Sequence, residues 1–155
     1  MEHFPAPMTR EESDAFAGRI EKQFSEHGYG PWAVEVPGEA DFIGDVGLLI
    51  HPFNPFDEIG WRLARPFWGR GYATEAARAV LADAFEHMGR DQIDSFTVPA
   101  NVRSTRVMER IGMTHDTERD FDHPRFPPGH RLSRHVMYSM TAAQWRTAGQ
   151  GAPPP

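Results

Sequence analysis

The chain contains no cysteine. That absence excludes disulfides, thiolate metal ligands and a cysteine nucleophile. It fits a reducing compartment, and a cytoplasmic location is the expectation. No apolar run is long enough to span a membrane, and no basic, apolar presequence opens the sequence. Positive charge is in deficit: 16 Lys and Arg face 22 Asp and Glu, for a formal charge of −6. This argues against a general nucleic-acid binder but leaves room for a local basic patch around a nucleotide. Internal repeats and dividing linkers are also missing. The 155 residues suffice for one domain with a real core, expected over 1–146 and followed by a disordered tail, 147–155.

What is present is organised around residues 65–75, Arg-Pro-Phe-Trp-Gly-Arg-Gly-Tyr-Ala-Thr-Glu. A strand-like run, 59–64, enters it. From Ala73 the apolar residues fall at 73, 76, 77, 80, 81, 84, 85 and 88, one stripe at helical period. Gly69 and Gly71 therefore sit where a strand turns into a helix. Glycines there expose backbone N–H groups and let a ligand come close. The first helical turn adds unsatisfied N–H donors and a partial positive end. The stretch is either an anion seat, most naturally for phosphate, or an ordinary tight turn with a helix cap.

Thr9 and Glu12 form a capping box that opens a helix, with Phe16, Ile20 and Phe24 on one stripe and Gly28 as the stop. It reads as scaffold, and nothing in it asks for chemistry. Residues 32–36 and 42–50 read as strands of a hairpin around Pro37-Gly38-Glu39. A loop, 51–57, leads to a third strand. Alternation puts Glu58, Gly60 and Arg62 on one of its faces and Ile59, Trp61 and Leu63 on the other. A glycine between two charges suggests a cleft wall. The long helix ends at Gly89, and a strand at 93–98 completes a β-α-β crossover with parallel pairing. Asn101 caps a short helix, 102–111, that turns Val107, Met108 and Ile111 inward. A strand over 113–118, a surface loop over 119–134, a final strand over 134–141 and a helical turn around Trp145 follow.

This order resembles the GCN5-related N-acetyltransferase superfamily, and within it the ribosomal-protein alanine acetyltransferases. Four pieces carry the resemblance: residues 58–63, EIGWRL; 68–76, WGRGYATEA; 101–104, NVRS, with 106–113, RVMERIGM; and 120–124, DFDHP. The resemblance implies an α+β fold, a mixed central sheet splayed near its middle and flanked by helices. It implies acetyl-CoA as acyl donor, with the pantetheine arm along Leu63, Ala64 and Arg65 and the pyrophosphate on Gly69, Arg70, Gly71, Tyr72 and Ala73. Two departures stand out. Pro66 occupies a place that often holds Gln or Arg in the phosphate loop. The family's first strand and helix precede the helix at Thr9 and are not matched, so the expectation is either an N-terminally incomplete domain, truncated or with a misassigned start, or an exposed edge covered by another segment or by a second copy in a homodimer. A dinucleotide-binding domain is the weaker alternative, because an antiparallel hairpin precedes the glycines.

Amine acetylation needs a neutral amine, a stabilised oxyanion and a protonated leaving thiolate. Glu58 is the candidate base; its other reading is a structural partner of Arg62. The resemblance puts oxyanion stabilisation on a backbone N–H near Leu63 or Ala64. Asn101 is a candidate donor to the cofactor arm or simply a cap, and Ser104 a candidate proton donor to the departing sulfur or a surface serine. Arg70 and either Arg103 or Arg106 are candidates for the cofactor phosphates; the other reading of each is a solvated surface arginine. His123, His130 and His135 match no metal-ligand spacing, and no metal is expected. The acceptor is expected to be a primary amine, a protein N-terminus or a small molecule. The alternative class is a non-catalytic acetyl-CoA-binding or structural protein.

Overall fold

The structure, a computed structural model, describes residues 9–149. Helix α1 (Arg10–His27) begins at the Thr9/Glu12 capping box and ends at Gly28. β1 (Pro31–Val36) and β2 (Ala40–Leu49) form the expected antiparallel hairpin. β2 then pairs antiparallel with β3 (Glu58–Leu63). After the glycine turn, α2 (Tyr72–Ala82) runs into a π-helical turn, Asp83–His87, in which the Met88 N–H reaches back to the Asp83 carbonyl. β4 (Gln92–Thr97), α3 (Val102–Arg110), β5 (Thr114–His115), β6 (Phe121–Asp122), β7 (Arg134–Thr141) and α4 (Ala142–Gly149) complete the chain. The sheet order is β1-β2-β3-β4-β7-β5, with β6 also on β7. The β3–β4 pair is parallel and the other pairs are antiparallel. This is the mixed, helix-flanked sheet that the sequence implies.

The core forms where the stripe of α2 meets the sheet. Ala77, Leu81 and Ala84 pack with Ile59 of β3, Ile93 of β4 and Met140 of β7. Met108 and Ile111 close it from the α3 side. The helical period of the sequence is thus the burial pattern of α2.

Three stretches differ from expectation. β5 stops at His115 because the Met137 N–H goes to the Asp120 carboxylate at 2.8 Å, which removes a β7 donor from the ladder. The 119–134 stretch is not all surface loop: it contains β6 and buries Leu132 and Ser133. The turn around Trp145 is a full helix that continues to Gly149, started by a reciprocal Thr141/Gln144 cap and held by Trp145 stacking on Phe85. The rest of the expected tail, 150–155, lies outside the described residues.

Candidate active site

β3 pairs with β2 from Glu58 to Leu63. On its other edge it meets β4 at one register pair, Glu58↔Asp94. Beyond that pair the strands part. Side chains hold the apex: Ser95 Oγ donates to the Ile59 carbonyl at 2.8 Å, and the Glu58 carboxylate accepts from the Phe96 N–H. A cleft of about 910 Å³ opens along the freed end of β3, lined also by α1, the glycine turn and α3.

Leu63, Ala64, Arg65, Gly69, Gly71, Tyr72, Ala73, Asn101 and Ser104 all line this cleft. Arg70 does not; its guanidinium bonds Glu39 Oε1 on the hairpin turn at 2.7 Å and lies over the Phe67 ring. Gly69 and Gly71 have φ of 76° and 81°, the left-handed region that glycine fills without strain. α2 starts at Gly71 with no side-chain cap, so its first-turn N–H donors are left for a ligand. The lining carries Arg62, Arg65, Arg103, Arg106 and Arg110 against Glu21 and Asp45. In a chain of net charge −6 that is a local positive surface suited to phosphates.

The cleft is not one face of β3, as alternation suggests. Trp61, Arg62 and Leu63 all line it while Glu58 and Gly60 do not, because the loss of β4 frees the strand's far end on its edge. α1 is not mere scaffold either. Phe16 and Ile20 line the opposite wall, and Arg62 lies over the Phe16 ring at 4.5 Å. Asp45 faces the cleft rather than open water; burial raises its pKa and the charge of Arg62 opposes the shift.

Asn101 is the α3 cap. Its Oδ1 accepts from the Ser104 N–H at 3.3 Å and its Nδ2 donates to Thr97 Oγ1 at 3.1 Å. Trp61 Nε1 donates to Ser104 Oγ at 3.3 Å. Since the hydroxyl accepts there, its own proton remains to be donated.

Glu58 lies behind the apex and is 8% exposed. Its partner is His51, Nε2 to Oε1 at 2.6 Å, and not Arg62. Burial raises the Glu58 pKa, while the His51 hydrogen bond pulls it down. Around this pair lie Phe53, Phe96, Phe121, His123, Phe126 and His135, with ring centroids 4.9 to 6.4 Å apart. Burial lowers the His123 pKa to about 4 and lowers that of His135. Among the described residues no group of three or more His, Asp and Glu could hold a metal. The 51–57 loop is fixed by a buried network that sequence spacing does not reveal. Asp94, fully buried, takes hydrogen bonds from Asn54, Gln92 and two nitrogens of Arg119.

A mixed sheet splayed over a phosphate-suited cleft defines an acyl-CoA N-acyltransferase fold. The family model for the acetyltransferase (GNAT) domain matches residues 1–114, and the chain belongs to that family. The chain is 35% identical over 126 residues to FsC-acetyl coenzyme A-N(2)-transacetylase of Aspergillus fumigatus, a match covering 76% of this chain and 52% of that protein. It is 33% identical over 146 residues to YnaD of Bacillus subtilis, an uncharacterized N-acetyltransferase, covering 94% of this chain and 82% of that one. The chain spans about half the length of the first curated relatives it matches. The crystal structure of ribosomal-protein-S5-alanine acetyltransferase from Vibrio fischeri superposes with a TM-score of 0.72 over 92% of this chain and 79% of that one. At 18% identity that likeness shows the shared fold alone.

Proposed function

We propose that the protein transfers the acetyl group of acetyl-CoA to a primary amine, with a protein N-terminal amine as the first acceptor. One observation carries the donor side: the uncapped glycine turn and five arginines meet in the cleft along the freed end of β3. In this reading the α2 N-terminus and the cleft arginines take the phosphates, and the end of β3 at Leu63 to Arg65 takes the pantetheine arm, which there meets a Leu63 carbonyl held by Trp68 Nε1 at 2.8 Å and an Ala64 N–H held by the Ile43 carbonyl at 2.7 Å. A backbone N–H of β3 stabilises the oxyanion, and it is not that of Ala64, which the Ile43 carbonyl takes at 2.7 Å. Ser104, oriented by Trp61, protonates the leaving sulfur. Asn101 holds the start of α3 and keeps one amide N–H for the arm.

A second reading, an acceptor other than a protein N-terminus, draws support from the Aspergillus relative, whose name assigns transfer to N(2) of FsC. The test is direct because the chain has no thiol of its own. CoA release is followed with a thiol reagent over a panel of N-terminal peptides and small primary amines. Release with peptides alone supports the first reading, and release with small amines alone supports the second. Acetyl-CoA binding without release would leave a binding protein.

A further inference from the structure

We propose that His51 accepts the proton from the acceptor amine, with Glu58 as the buried carboxylate that fixes its tautomer. This rests on the N-acetyltransferase reading and deepens it. The two residues flank the loop between β2 and β3, which brings the imidazole back onto the first residue of β3. Glu58 cannot easily meet a substrate itself. It is 8% exposed, and its oxygens are engaged by His51 Nε2 and by the Phe96 N–H. His51 is half-buried, with its ring against Phe53 at 5.0 Å and Phe96 at 5.3 Å.

The carboxylate only accepts, so the hydrogen of neutral His51 sits on Nε2 and the lone pair on Nδ1. Nδ1 makes no hydrogen bond among the described residues, and none of their buried side-chain nitrogens lacks one. Nδ1 therefore keeps contact with solvent. The loop that carries it is clamped through Asn54 to buried Asp94 at 2.9 Å. A buried carboxylate, an imidazole locked at one nitrogen and an open second nitrogen together make a proton acceptor rather than a core filler.

An ammonium gives one proton to Nδ1, and the Glu58 carboxylate stabilises the imidazolium. The freed nitrogen lone pair forms the C–N bond at the thioester carbonyl, and the C–S bond breaks. The nitrogen's second proton goes to sulfur, through Ser104, and His51 returns its proton to water. The ionisable groups facing His51 are Glu58 from β3, Asp94 from β4 through Glu58, and His123 from the segment before β7.

The test uses the full chain with acetyl-CoA and two probe amines, an alanine-led peptide and benzylamine. Rates are measured from pH 6 to 10 for wild type, His51→Gln, His51→Ala and Glu58→Gln, beside acetyl-CoA titrations and melting scans. His51→Gln should lose roughly 10²-fold at neutral pH, with the deficit closing above the amine's own pKa, and acetyl-CoA affinity should hold. 4-Methylimidazole should restore part of the His51→Ala rate. Glu58→Gln should keep a base but move the acid limb. A wild type that acetylates neither probe sinks the transferase reading and the proposal together. An active wild type whose His51→Gln variant keeps its rate and acid limb, or loses the same factor at every pH without rescue, overturns the proposal alone. Should His51→Gln not fold, an unmoved acid limb in Glu58→Gln overturns it equally.

Discussion

Gly71 and Gly89 separate backbone strain from ligand contact. Both hold left-handed backbone, φ 81° and 69°, and a Cβ added at either would meet nothing within 4 Å. Alanine at either position should therefore cost a similar amount, about 1–2 kcal/mol of strain. Only Gly71 lines the cleft. Gly71→Ala should also weaken acetyl-CoA binding, and Gly89→Ala should not. Melting scans paired with titration calorimetry read both quantities; equal affinity in the two variants would remove the glycine turn from the binding site. His123 makes a different residue-scale prediction. Its folded pKa is held near 4 by burial and by neighbouring positive charge. Below pH 6.5 the unfolded imidazole takes a proton that the folded one refuses until about pH 4, so stability falls as the pH drops through that window. His123→Phe keeps a ring in the cluster and removes the proton site. It should lose less melting temperature between pH 7 and pH 5 than wild type, and an equal loss would place the acid sensitivity elsewhere.

At the scale of elements, the parts written in local chemistry were legible and the parts written in distant pairings were not. The stripe at 73–88 marks α2 because its period is its burial. The capping box at Thr9 and the glycine turn are local as well. Thr141 with Gln144 is the same kind of cap, and it is a sequence signal for the whole of α4. The wall role of α1 leaves no such mark: a stripe of Phe16 and Ile20 looks the same facing a core or a cleft. His51 and Glu58 are seven apart across a loop, and no spacing rule predicts that they meet. Arg119 and Asp94, 25 apart, are equally silent in sequence. That pair ties the turn after β5 to β4, and Asn54 ties the 51–57 loop to the same carboxylate. Arg119→Met would leave the fully buried Asp94 carboxylate short of a partner, a change that costs about 3–5 kcal/mol. Adding Asp94→Leu should recover part of the loss, since both charges are then gone. A denaturation-based double-mutant cycle checks this; additive losses would mean that the network does not couple the two elements.

Across the whole molecule, burial is uneven, and the unevenness falls at the cleft. The sheet core holds Ile59, Leu81, Ala84 and Ile93 with no exposure. α1, eighteen residues long, has no buried residue at all. Its C-terminal half is tied by Gln23, whose amide donates to the Leu48 and Tyr29 carbonyls. Its N-terminal half offers Ser13, Phe16 and Ala17 to the cleft. A helix with so little buried apolar surface opens at low cost, whereas α2 opens only with the core. Acetyl-CoA in the cleft would lie against that wall and bury Phe16 and Ile20, and a ligand at 100 times its Kd adds about 2.7 kcal/mol to the closed state. Amide hydrogen exchange should therefore show α1 exchanging far faster than α2 in the free protein, fastest before Gln23. Saturating acetyl-CoA should slow α1 most and leave the β4 and β7 amides nearly unchanged. CoA lacking the acetyl group should protect α1 almost as well, because the arm and phosphates, not the acetyl carbon, make the wall contact. If α1 is already as protected as α2 without ligand, or stays fast with the cleft filled, the helix is not a wall that the donor closes.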